Sequence, residues 1–472
     1  MRFLRFHYVL FLTLSATLVG CSSHPVTSSV GVGSVSNTTP VALLMTDSPP
    51  AGVTVLSFEV TVTSAELEPG NVPLLTGPAT VEITRLQTET ISLATLSIAP
   101  ANFTSMALTF LNPTLTFENN TGASITAGGI SCAVGAVCTI NPTATNQTTT
   151  LSFPSSFAVS KSSPQAVLVD VNLANLLSGA LAADFSAGSS VSAIAPSSPG
   201  LAIDTMEDFV GEVQAENTAN STITLGNSMS SLVATVNSST VFLDFPKSTC
   251  PTGAFSCLAD NQILSADLSL ESNGTIVANN LWFKDADSSD IEVEGVITGV
   301  NIPAQQFTYV VLIESSPVLN LSVGNVATVH WNVAPATTTF VPDDMGIDTT
   351  GFLFSTPVDL MIGQEVSVRR NPTSIGVSLN ADRVLLRGSR ITAIVGGPIA
   401  FPNLTLTNLP SLFGTVGTSQ IVASVSTTTG TEFTGAATAF NEIPINGNVS
   451  VRGQLFPNGG TPTMLASKIV LN

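Results

Sequence analysis

The strongest constraint on this chain is that its second half repeats itself. Gly211-Glu212-Val213, Gly295-Val296-Ile297 and, less closely, Ile391-Thr392-Ala393 each open a unit. Each unit then reaches a Thr-x-Phe step, at Thr240-Val241-Phe242, Thr338-Thr339-Phe340 and Thr431-Glu432-Phe433. A polar turn and a strand follow: Asn261-Gln262-Ile263, Gly363-Gln364-Glu365-Val366-Ser367-Val368 and Gly447-Asn448-Val449-Ser450-Val451. An alanine-led strand closes each unit, from Ala278 to Phe283, Ala381 to Leu386 and Ala466 to Leu471. Matching order and near-matching spacing mean three copies of one module of about 80 to 95 residues. That is too long for a solenoid repeat and right for a small closed barrel of five or six strands with its own core. At period two, Val366 and Val368 share the inward face while Glu365, Ser367 and Arg369 share the outward one. Val449 and Val451 stand in the same relation to Ser450 and Arg452, and Gly363 is matched with Gly447. The modules are expected over 206–290, 291–388 and 389–472, joined by short linkers and with separate cores.

Composition agrees with strands. Of 472 residues only 10% are charged, and Lys plus Arg number 13 against 32 Asp plus Glu, a formal net charge of −19. Thr, Ser, Val, Asn, Gly and Pro dominate, the vocabulary of strands and turns, while the helix-favouring charged residues are scarce. Nucleic acid is excluded as a partner, because neutralising phosphates requires clustered Lys and Arg.

The first twenty residues read as an address. Arg2 and Arg5 precede an apolar stretch from Tyr8 to Val19, too short to span a bilayer comfortably, which ends in Leu18-Val19-Gly20-Cys21. This resembles the lipobox of bacterial lipoproteins. The resemblance implies a signal peptide over 1–20, cleavage before Cys21 and acylation of Cys21 as the mature N-terminus, a stable membrane anchor carrying palmitate-like chains. Ser22 follows Cys21 where an Asp would favour inner-membrane retention, so the outer membrane is the expected location. Residues 21–40, rich in Ser, Thr, Val and Gly, form a flexible tether.

The remaining cysteines fall into two close pairs, Cys132 with Cys138 and Cys250 with Cys257. Three connectivities are open to four cysteines; local pairing is preferred because each short loop closes at small entropic cost in an oxidising periplasm. The rival reading, a four-thiolate zinc site, lacks the tighter C-x2–4-C spacing of zinc knuckles.

Between the tether and the repeats, alternation reappears. Phe58, Val60 and Val62 face one way and Glu59, Thr61 and Thr63 the other; Met106, Leu108 and Phe110 repeat the pattern, and Leu173 to Ala183 reads as a short helix. The opening Leu43-Leu44-Met45-Thr46-Asp47-Ser48-Pro49, the strand from Val60 to Leu67, the turn Pro100-Ala101-Asn102-Phe103 and the strand Val167-Leu168-Val169-Asp170-Val171 are similar to an uncharacterised domain common in bacterial lipoproteins. Asn102 and Phe103 stand where that family has Gly and Tyr. The side chain of Asp47 is expected to cap its own turn. The G-x-V … T-x-F … G-x-x-V-x-V … A-x-x-[VIL] pattern of the repeats resembles a second uncharacterised bacterial domain, found in tandem in envelope proteins. Neither resemblance brings an activity with it. The expected fold is therefore all-β: an N-terminal β-sandwich-like domain over 41–205 with its linker, then three tandem small β-barrel modules.

The census of chemical groups is short. Beyond the leader, histidine occurs at His24 and His330, and alternation in Val329-His330-Trp331-Asn332-Val333 turns His330 outward. No G-x-S-x-G elbow accompanies it, Asp348-Thr349-Thr350-Gly351 carries one residue too many for an aspartic-protease turn, and Gly31-Val32-Gly33 lacks a third glycine. Asp285, Asp287, Asp290 and Glu292 alternate in a way that suits weak extracellular calcium binding, with Asp343, Asp344 and Asp348 around Gly346 as a lesser candidate, in a chain for which no other cofactor is expected. Two functions remain: a non-enzymatic lipid-anchored envelope protein displaying tandem β domains, with an envelope protein or glycan as ligand, or an envelope hydrolase in which Asp343, Asp344, Asp348 and Asp382 converge on a cleft.

Overall fold

The computed structural model describes residues 39–47, 54–160, 165–178, 181–194, 203–226, 231–243, 245–246, 250–251, 253–271, 275–284, 292–314, 321–333, 337–343, 345, 347–370, 376–426 and 430–472. These belong to one compact unit from Thr38 to Asn472. Cys21, Asp285, Asp287, Asp290 and Asp344, and the turn after Asp47, lie outside the described residues.

The N-terminal domain is built from β1 (Thr39–Asp47), β2 (Val55–Glu68), β3 (Val72–Pro73), β4 (Ala79–Glu82), β5 (Ile91–Ile98), β6 (Ala101–Glu118), β7 (Ile125–Ala127), β8 (Ile130–Cys132), β9 (Val137–Ile140), β10 (Ala144–Thr145), β11 (Thr148–Val159), β12 (Gln165–Val171), α1 (Leu173–Leu176), β13 (Ala183–Asp184) and β14 (Val191–Ile194). Two sheets, ordered β14-β12-β1-β5 and β11-β6-β2-β3 with β4 and β9 added to the second, enclose one apolar core. Phe58, Val60 and Val62 are buried as alternation requires, and a bulge between Val62 and Ser64 then shifts the phase so that Ala65 and Leu67 remain inside. β1 and β12 pair in parallel at the centre of their sheet. The near-continuous apolar sequence of β12 follows from burial on both faces: Val167, Val169 and Val171 enter the N-terminal core, whereas Ala166 and Leu168 enter the core of the first barrel. The helix is a single turn, shorter than the span read from sequence; Asn172 caps it by accepting from the Asn175 amide at 3.1 Å, and Leu173 and Leu176 anchor it.

Three barrels follow. The first comprises β15 (Ile203–Asn217), β16 (Thr222–Gly226), β17 (Ser231–Thr235), β18 (Val241–Leu243), β19 (Ile263–Leu270) and β20 (Ile276–Lys284). The second comprises β21 (Glu292–Asn301), β22 (Gln306–Glu314), β23 (Val326–His330), β24 (Thr339–Pro342), β25 (Glu365–Arg370) and β26 (Ser378–Leu386). The third comprises β27 (Ser389–Ala400), β28 (Asn403–Thr407), β29 (Ile421–Val425), β30 (Glu432–Gly435), β31 (Asn448–Phe456) and β32 (Thr463–Leu471). Each has the order third-second-first-fifth-sixth, closed by a parallel pairing of the third strand with the sixth, while the short fourth strand continues along the same sixth strand. This is the five-stranded Greek-key barrel of the OB-fold, with the short fourth strand and a 3-10 turn in the connection before the fifth strand.

The repeated residues hold equivalent places. Thr240, Thr338 and Thr431 donate their hydroxyls to the carbonyls of Ala278, Ala381 and Ala466 at 2.7, 2.6 and 2.8 Å. The same oxygens accept from the amides of Asn237, Asn332 and Ser426, so one side chain ties the fourth strand to the sixth and closes the preceding turn. Val366, Val368, Val449 and Val451 are fully buried. The glycine match is corrected by one position. Asn261, Gly363 and Asn446 each donate their amide to the first strand, to Val213, Ile297 and Val395, and each has left-handed φ, 68°, 87° and 66°. Gly447 is therefore the counterpart of Gln262 and Gln364, and Asn supplies the left-handed residue in the outer two barrels because it tolerates that region better than other non-glycine residues.

Candidate functional site

The outward face of β25 at Glu365 and Ser367, and that of β31 at Ser450 and Arg452, do not meet water. Glu365, Ser367, Ser450 and Arg452 are all buried, because those faces lie where the N-terminal domain, the second barrel and the third barrel meet. The expectation of solvated outer faces and fully separate cores is corrected accordingly: alternation sorts polar from apolar but does not reveal what covers the polar side.

The junction is assembled from all three bodies. From the N-terminal domain comes the 3-10 turn Thr84–Gln87. The half-buried Glu82 carboxylate holds that turn by accepting from the amides of Phe58 (2.8 Å), Thr84 (3.3 Å) and Arg85 (3.0 Å) and from the Thr84 hydroxyl (2.8 Å). Burial pushes the Glu82 carboxyl above its ordinary value, and these hydrogen bonds pull against the shift. The turn presents Arg85 and Glu89. Glu89 is engaged by Arg85 at 3.4 Å, by Arg452 Nε at 3.6 Å and by Arg390 Nη2. Arg390 also reaches both oxygens of Glu365, and Arg387 bridges Glu294 at 3.2 Å and Asp343. Arg85, Arg387, Arg390 and Arg452 thus meet Glu89, Glu294, Glu365 and Asp343 in one cluster of opposite charges.

Electrostatics there follow from desolvation. Burial, and then the neighbouring Glu294 carboxylate, set the Glu365 carboxyl well above the ordinary range, against the pull of Arg85 and Arg387. Burial and the Arg85 charge lower Arg452 to about 9 and Arg390 well below its usual value, yet a guanidinium remains protonated at neutral pH.

Neutral bonds surround the charges. Thr392 donates to Gln87 Oε1 (3.0 Å), Gln364 to the Leu455 carbonyl (2.8 Å), Gln454 to the Asp343 carbonyl (2.7 Å) and Thr116 to the Gly324 carbonyl (2.8 Å). Leu56, Val310, Ile362 and Leu412 form an apolar cluster across the same three bodies, and the Phe352 and Phe456 rings lie 5.2 Å apart across the two barrels. A cavity of about 80 Å³ remains at the junction, with Arg85, Glu365, Arg390, Leu56, Leu412 and Phe413 among its lining residues.

The residues singled out from sequence are placed elsewhere. Cys132–Cys138 and Cys250–Cys257 are closed disulfides with Cα separations of 6.0 and 5.1 Å. Glu292 pairs with Arg383 and accepts from Ser367 at 3.2 Å. Asp343 faces Arg387 in the junction, Asp348 accepts from the Thr350 amide of its own turn at 2.9 Å, and Asp382 pairs with Arg369 at 2.9 Å. These three aspartates thus have separate partners. His330 is half-buried beside the fully buried Trp331. Among the described residues no group of three His, Cys, Asp or Glu is placed to hold a metal ion. The cluster itself was not read from the sequence. Its one signal there is scarcity: four of 13 basic residues meet at one junction.

No family model matches this chain, and no curated protein does. Among solved structures, drosophila Unr CSD456 matches at 11% identity over 56% of this chain and 97% of its own, with a TM-score of 0.12. At that score the likeness carries no argument.

Proposed function

We propose that this chain is a non-enzymatic, lipid-anchored protein of the bacterial outer membrane that presents its β domains to an envelope protein or glycan. The observation that carries the reading is the pair of closed local disulfides, a chemistry that persists in oxidising compartments outside the cytosol, in a chain that opens with a lipobox-like segment ending at Cys21. The charged junction supports a structural role: it holds three domains in one arrangement, as a display body requires. The barrel fold names no ligand, since one fold hosts many functions. Replacement Cys21→Ser tests the reading. Loss of labelling by a radioactive fatty acid and transfer from the membrane to the soluble fraction are expected; unchanged membrane association would overturn the anchor.

A further inference from the structure

The third barrel differs from the other two in the hairpin between its first two strands. In the first barrel this hairpin turns through polar residues, with Asn217 Oδ1 accepting from the amides of Ala219 (3.1 Å) and Asn220 (3.3 Å). In the second, Asn301 Oδ1 accepts from Ala304 at 3.1 Å around an Ile302-Pro303 tip, where Ile302 is 40% exposed. Among the described residues the third shows no such cap. Ala400 pairs directly with Asn403, and the tip between them is Phe401-Pro402. Phe401 is 65% exposed, and its ring stands edge-on to Phe440 at 5.4 Å. Ile445, 54% exposed, lies beside Gly397 at the base of the same hairpin. Ile445 occupies the place that Ile362 holds in the second barrel, counting from the left-handed residues Asn446 and Gly363, and Ile362 is buried under Leu412 at the junction. An apolar residue at this position is thus a contact residue in the second barrel and lies open in the third.

Charge marks the same surface. In a chain of net charge −19, no Asp, Glu, Lys or Arg stands between Arg390 and Glu432, a stretch that contains β27 beyond Arg390, β28, β29 and the hairpin tip. Glu442 is the one charged residue in the neighbouring segment from Ala436 to Gly447, and its carboxylate is turned back onto the Thr438 amide (2.7 Å) and hydroxyl (2.9 Å).

We infer that the Phe401–Phe440–Ile445 surface of the third barrel is a membrane-contact patch that rests in the interfacial region of the bilayer carrying the protein. The inference rests on the lipid-anchor reading. Eighteen residue steps separate Cys21 from Thr39, and a chain of that length spans at most about 60 Å, which leaves the body free to turn toward the bilayer that holds it. Exposed aromatic and aliphatic side chains gain most by entering the headgroup–acyl boundary, where aromatic residues concentrate. Elsewhere the acidic surface is repelled by anionic headgroups; this uncharged tip is not.

The test uses the full lipidated protein carrying Phe401→Trp, in vesicles of zwitterionic phosphatidylcholine with brominated acyl chains. Flotation of the vesicles reports the anchor, and quenching of the added indole reports the patch. Flotation with quenching severalfold stronger than that of the parent's Trp282 and Trp331, reduced by a further Ile445→Asp exchange at this exposed position, is the expected result. Flotation without added quenching overturns the patch and leaves the anchor standing; absence of both overturns both. A doubling of mass in vesicle-free light scattering that Phe401→Asp abolishes would make the surface a contact between copies and likewise overturn the membrane assignment.

Discussion

At the scale of single residues, the repeat is held by side chains whose partners are backbone atoms. Thr431 satisfies both the Ala466 carbonyl and the Ser426 amide, so Thr431→Val leaves two polar groups without a partner at a buried site. A loss of about 1–3 kcal/mol in chemical denaturation is expected, with Thr431→Ser close to the parent. Gly363 carries two constraints at once: its φ is 87°, and an added Cβ would stand 2.3 Å from Phe413 Cζ. Gly363→Ala is therefore expected to destabilise the contact between the second and third barrels more than a left-handed strain alone would, whereas Asn446→Gly, with the same φ requirement, should be tolerated in thermal melts. The Thr-x-Phe spacing was visible in the sequence because it recurs. The offset between Gly363 and Asn446 was not, because Gly447 beside Asn446 offers the more familiar residue for a left-handed turn.

At the scale of elements, β25 shows what period-two reading captures. The inward set Val366 and Val368 is buried as alternation demands, but Glu365 on the other face is only 1% exposed because other domains cover it. Its carboxyl stands well above the ordinary range in the folded protein, so the folded state binds that proton more tightly than the unfolded chain. The stability this contributes is complete below the ordinary carboxylate value and is lost as pH rises through the elevated one. Glu365→Gln fixes the neutral form: its melting temperature should lack that decline and lie above the parent's at the alkaline end of the window, as a pH series of thermal melts will show. The disulfides act on single loops. Reduction of the Cys132–Cys138 bridge should cost about 2 kcal/mol by loop-closure entropy, and non-reducing peptide mapping should recover it together with Cys250–Cys257.

At the scale of the molecule, the charged cluster makes three bodies depend on one another. Glu89 faces Arg85, Arg390 and Arg452, so Glu89→Ala removes the carboxylate these three guanidiniums share. A cost of about 3–5 kcal/mol is expected, read as a lower calorimetric transition and as new proteolytic cleavage near Arg387 and Arg390, where the chain passes from the second barrel to the third. Val451→Asp should unfold the third barrel by placing an unpaired charge in its core, and because Arg390 and Arg452 belong to that barrel, the second barrel should melt earlier as well. A second-barrel transition identical to the parent's would show the junction to be energetically inert.

The sequence alone determined the all-β class and the repeated barrel, because alternation and recurrence are local properties of a chain: each strand's apolar set can be buried in one way only, whatever surrounds it. Sequence separation also favoured the two local disulfide pairs. The junction was decided by tertiary structure. Arg85, Glu365, Arg390 and Arg452 lie far apart along the chain, and each looks like an ordinary solvated side chain in its own strand or turn; only the docking of three folded domains removes water from all of them together and makes their charges depend on one another.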